Sequence, residues 1–115
     1  MVLPLNRPFH ESAVYARTAS IGASPAAGST VSIHKGNLQR AFAVSEGAST
    51  GTISVAVSIN GGPTVATISF TGGTNAIGSV EVNTPVTVNE GDLVTFTPSG
   101  GGGATIPAHF YAVIR

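Results

Sequence analysis

Residues 51–71 read GTISVAVSINGGPTVATISFT, two runs of alternating apolar and polar side chains joined by Asn60-Gly61-Gly62-Pro63. Asn and Gly tolerate the positive φ of a tight turn, and Pro63 has no N–H to give a ladder, so it belongs at the start of the second run. The alternation places Ile53, Val55, Val57 and Ile59 on one face of a pleated strand. A β-hairpin over these residues sets the class as all-β. The hairpin carries no charged, cysteine or histidine side chain, so chemistry has to be sought elsewhere.

Outward from the hairpin, the pattern repeats. Residues 30–34 and 38–45 alternate as strands around Lys35-Gly36-Asn37, where Gly-Asn has the character of a hairpin turn. In the second of these, Leu38, Phe42 and Val44 are expected to share a face with Arg40. Gly72-Gly73-Thr74-Asn75 turns the chain into 76–82, and Pro85 interrupts it before 86–88. Asn89-Glu90-Gly91-Asp92 is another tight turn, leading into 93–97. Ser99 begins a glycine loop running to Gly103, and 106–114 closes the chain with Phe110, Ala112 and Ile114 on one face and Tyr111 and Val113 on the other. Many short strands with turns every 8–12 residues call for two stacked sheets, because only a second sheet covers such faces. An antiparallel β-sandwich over 28–115 is expected, with the last strand in a central position. Phe42, Phe70, Phe96 and Phe110 are expected in its core, and Tyr111, out of phase with Phe110, at an interface.

Residues 1–27 read differently. Pro4, Pro8 and Pro25 break any regular pattern, while Val2, Leu3, Leu5, Phe9, Val14, Tyr15 and Ile21 are too apolar for a solvated tail. An extended N-terminal arm lying on its own domain, a neighbouring copy or a larger assembly is expected.

The chain has 115 residues, enough for one domain, and only 9% of them are charged, well below the roughly one quarter of ordinary soluble domains. So little charge on a neutral protein favours self-association or coverage by partners. Arg7, Arg17, Lys35 and Arg40 fall in the first part and Glu46, Glu81, Glu90 and Asp92 in the second. Four spaced cations without interleaved aromatics do not make a nucleic-acid patch, and docking on an acidic protein surface fits them better. The absence of cysteine excludes disulfides and thiolate chemistry. No apolar run reaches the roughly 20 residues of a membrane span, and prolines and Arg7 interrupt the start as a signal peptide. Synthesis in the cytoplasm is the expectation.

The remaining constellations read as structural. His10, His34 and His109 have no carboxylate at a same-face spacing and are expected as polar or capping groups. VTVNEGDLVTFT, residues 86–97, has the rhythm of a cupredoxin strand pair, but a blue-copper centre needs a thiolate. Asn89, Glu90 and Asp92 are too few oxygens for a calcium shell, and turn formation explains them. Glu90 and Asp92 cannot flank a glycosidic bond from adjacent turn positions. No G-x-S-x-G elbow is present, and Gly100 to Gly103 lack the Lys and helix of a phosphate loop. No catalytic residue, cofactor or metal site is expected.

A basic N-terminal arm, GNLQRAFAVSEGASTGTISVAVSINGGPTVATISFTG, VEVNTPVTVNEGDLVTF, a glycine loop and the closing AHFYAVIR follow in order. Over residues 36–115 this resembles the decoration, or cement, proteins of tailed-bacteriophage capsids, the carrying features being Asn60-Gly61, Gly91-Asp92 and the apolar last strand. The resemblance implies a jelly-roll-like sandwich, assembly as a homotrimer, and binding to the major capsid protein of the assembled shell. It also implies a place on the outer virion surface beside neighbouring decoration proteins, with no nucleic-acid or membrane partner. Arg7, Phe9, Tyr15 and Arg17 are then the expected capsid-contact residues, with Lys35 and Arg40 beside them. The alternatives are a phage tail- or fibre-associated protein and a host-glycan-binding sandwich that uses loops near Gly100 to Gly103 and Tyr111.

Overall fold

A computed structural model describes residues 12–115 and folds them into nine strands: β1 (Ser12–Thr18), β2 (Gly28–Val31), β3 (Gly36–Ser45), β4 (Thr52–Ile59), β5 (Thr64–Thr71), β6 (Ile77–Glu81), β7 (Thr87–Val88), β8 (Leu93–Ser99) and β9 (Ala108–Ile114). They form two antiparallel sheets, a front sheet of order β1-β9-β3-β6, with β7 paired to β3, and a back sheet of order β2-β8-β4-β5. Successive long strands cross repeatedly between sheets, and the interleaved orders define a jelly roll. The expected antiparallel sandwich is therefore the fold, and β9 lies inside the front sheet between β1 and β3.

The hairpin that decides the class is β4–β5. Asn60 and Gly61 have φ of 53° and 72°, and the Gly62 amide donates to the Ile59 carbonyl at 3.0 Å, as a primed turn requires. Ile53, Val55 and Val57 are fully buried, with Ile59 packed at the core margin. Beside them in the back sheet β8 contributes Phe96, and from the front sheet β9 contributes Phe110, the two rings stacking across the sheets with centroids 5.0 Å apart. Among the described residues, every buried side-chain nitrogen and oxygen has a hydrogen-bond partner.

Three expectations change. The segment 12–18, expected within the arm, is strand β1, pairing with β9 from Ser12↔Ile114 to Thr18↔Ala108. Its alternation of buried Val14, Ala16 and Thr18 with exposed Ala13, Tyr15 and Arg17 was masked by the prolines on either side. The 35–37 turn does not close a hairpin: β2 pairs with β8 and β3 with β6 and β9, so this loop crosses between sheets. Phe42 is outside the core. The register slips between Leu38 and Arg40, a bulge that puts Leu38 inward but turns Arg40, Phe42 and Val44 outward.

Candidate functional site: the outer face of the front sheet

Period-two alternation on four strands builds one continuous outer surface. The ladders align it in three rows: Ala13, Val113, Arg40 and Glu81; then Tyr15, Tyr111, Phe42 and Ser79; then Arg17, His109, Val44 and Ile77. The middle row carries three aromatic side chains on adjacent strands. Tyr15 is 44% and Tyr111 36% exposed, and their ring centroids lie 5.2 Å apart at an interplanar angle of 49°. Ile77 adds an aliphatic group that is 68% exposed.

Polar groups rim this strip. Tyr15 hydrogen-bonds through its hydroxyl to Nδ1 of His109, and the two rings also stack, centroids 5.6 Å apart. His109 Nε2 lies 2.6 Å from Glu46 Oε2, and Arg17 Nε approaches the same oxygen at 3.8 Å. A neutral imidazole satisfies both contacts, accepting from Tyr15 at Nδ1 and donating to Glu46 from Nε2. At the other end of the strip, Arg40 stands opposite Glu81 in the β3–β6 ladder. The arrangement is an apolar aromatic centre with a charged margin, the anatomy of a protein interface.

Of the residues expected to contact a capsid, Tyr15, Arg17 and Arg40 come together on this face. Lys35 is exposed in the loop between β2 and β3, away from the rows, and Arg7 and Phe9 lie outside the described residues. Phe42, His109 and Glu46 were missed as members. The parity of β9, which puts His109 on the side of Tyr111, is a signal legible in the sequence. Glu46 is brought to it only by the long-range β3–β9 ladder.

No ligand-sized pocket opens among the described residues, and no cluster of three His, Asp or Glu side chains is poised there for a metal. No family model and no curated protein matches the chain. Among solved structures, it is similar to the carbohydrate-binding module CBM36 in complex with calcium and xylotriose, at 21% identity over 84% of this chain and 76% of that one, with a TM-score of 0.43. The assignment of the fold rests on the strand order of this chain itself.

Proposed function

We propose that this chain is a structural protein that decorates and stabilises a tailed-bacteriophage capsid as a homotrimer, its copies packing through the outer face of the front sheet. The observation that carries the reading is the outward-facing row Tyr15–Tyr111–Phe42, its two tyrosines exposed and Phe42 half-buried, with its charged margin. Aromatic residues and Arg are enriched at interface hot spots, and a chain of such low charge has little else to keep this face in water. Tyr15, Arg17 and Arg40 are on this reading contacts between copies. Shell contact falls to Lys35, exposed in the loop between β2 and β3, and, from the sequence resemblance, to Arg7 and Phe9. The trimer itself and the capsid as partner come from the sequence resemblance.

The mechanism is mass action. A ligand that binds the assembled shell and not free subunits stabilises the shell by RT ln(1 + [L]/Kd), and three linked copies raise the local concentration of every contact. The alternative reading is a host-glycan-binding sandwich that uses the loops near Gly100 to Gly103 and Tyr111.

Native mass spectrometry tests the assembly step, with a trimer of the 11.4 kDa chain expected and a monomer expected for Tyr111→Arg. Co-sedimentation with emptied, undecorated shells of the encoding phage, against unassembled capsid subunits, tests the second step. Binding to shells alone supports the reading. A monomeric wild type that binds a defined sugar on a glycan array replaces it.

A further inference from the structure

Among the described residues, the outermost strands are β1 and β6 in the front sheet and β2 and β5 in the back sheet. An open edge is ordinarily guarded by shortness, charge or proline. β2 has only four residues, β1 carries Arg17 and β6 ends in Glu81. β5, TVATISFT, has eight residues with neither charge nor proline.

The hydrogen bond from the Gly72 amide to the Gly51 carbonyl, at 2.8 Å, fixes which groups of β5 face outward. That pair continues the register of Thr52↔Thr71, and bonded and non-bonded pairs alternate along an antiparallel ladder. Ile53↔Phe70 and Val55↔Ile68 are therefore the bonded pairs. On the other side of β4, Val55 stands opposite Pro98, which has no N–H to offer, in agreement with that parity. The N–H and C=O groups of Thr67, Ser69 and Thr71 thus point away from β4, along the open edge. Their side chains are exposed on the outer face of the sheet, while Phe70 is only partly covered at the margin of the core.

This edge is complementary to itself. Turned about a two-fold axis through Ser69, a second copy sets Ser69 against its own Ser69 and Thr67 against its Thr71, so that each outward N–H meets an outward C=O. The same register sets Phe70 against Ile68 of the second copy and covers the exposed side of the ring. No charge confronts its own copy across the axis, and facing Ser and Thr hydroxyls make favourable strand pairs. From this geometry we infer that β5 pairs antiparallel with β5 of a second copy, joining two back sheets into one continuous sheet. The paired stretch is short, which places the contact among weak interfaces that dissociate on dilution. It lies on the sheet opposite the aromatic row, so the inference goes beyond the capsid reading and does not depend on it.

The test uses the full-length chain carrying Tyr111→Arg, which takes the front face out of association. Amide hydrogen exchange, read by NMR at micromolar and at millimolar concentration, should slow about tenfold or more at Thr67, Ser69 and Thr71 in the concentrated sample. Ser69→Lys sets like charges against each other at the axis and should abolish that slowing at Thr67 and Thr71, with the melting temperature unchanged. In a chain without native cysteine, a short bismaleimide should join Ser69→Cys into a product of twice the chain mass and leave Thr97→Cys, exposed on β8 of the same sheet, single. Exchange that is the same at both concentrations overturns the inference, whether fast from an open edge or slow from a cover within the chain. Protection that survives Ser69→Lys overturns it too, as does equal cross-linking of the two cysteine variants. A trimer that persists in Tyr111→Arg counts against the front-face reading and leaves the exchange of these three amides legible.

Discussion

Asn60 and Asp92 lock two turns of the sandwich together: Asn60 Nδ2 donates to Asp92 Oδ1 at 3.0 Å, while Asn60 Oδ1 accepts from the Leu93 amide at 2.8 Å. The other Asp92 oxygen accepts from the Asn89 amide at 2.9 Å and closes its own turn. One carboxylate thus joins the β4–β5 hairpin to the turn that enters β8.

The hydrogen bonds from the Asn89 backbone and then the Asn60 side chain hold the Asp92 carboxyl below its ordinary value of 3.8. A depressed folded-state value means that the stabilisation is fully present above about 3.8 and is lost as pH falls through the depressed value. Thermal melts of the wild type and Asp92→Asn across pH 2–7 should differ most near neutrality and converge in acid. A gap that persists unchanged at the acid limit would show that the carboxylate charge contributes nothing.

Gly78 is a small residue held in place by its neighbours. It lies buried in β6, and a Cβ there would stand 2.4 Å from the Phe70 ring and 2.9 Å from Ile68. Both side chains belong to β5 of the facing sheet, so the intrusion pushes the sheets apart. Gly78→Ala should cost about 1–3 kcal/mol by overpacking, measured by urea denaturation. Gly73→Ala, where a Cβ meets nothing within 4 Å, is the matched control and should stay near wild type.

How much of this was legible in the sequence depended on how local each signal was. The β4–β5 hairpin, the 89–92 turn and the parity of β9 could be read because alternation and turn chemistry sit within ten residues of each other. Strand β1 could not, since prolines on both sides disguised seven residues whose partner, β9, is about 95 positions away. The bulge at Leu38/Arg40 was also invisible, and it alone converts Phe42 from an expected core residue into the half-buried third ring of the outward-facing row. The Tyr15–His109–Glu46 chain draws on three strand regions at once, which local periodicity cannot bring together.

Phe96 and Phe110 stack with an interplanar angle of 11°, both fully buried, one from each sheet. They are the main aromatic joint between layers. Truncating either to Ala removes the facing ring and leaves a cavity that close-packed β-branched neighbours cannot fill, a change of about 3–5 kcal/mol. Phe96→Ala and Phe110→Ala should each lower the denaturation midpoint sharply, and the double variant should lose less than the sum, because the second truncation removes a ring whose partner is already gone.

Arg17 separates stability from association. Its guanidinium is half-exposed and reaches Glu46 only at 3.8 Å, so Arg17→Ala should change folding stability by under about 1 kcal/mol. If copies pack through the front sheet, the same substitution removes a cation from the margin of that interface. The association of Arg17→Ala should then weaken and become less sensitive to salt, while its melting temperature stays near wild type. Sedimentation velocity at low and at high salt reads the first effect and a thermal melt the second. A variant that melts early and dissociates in step would place Arg17 in the fold rather than at the contact.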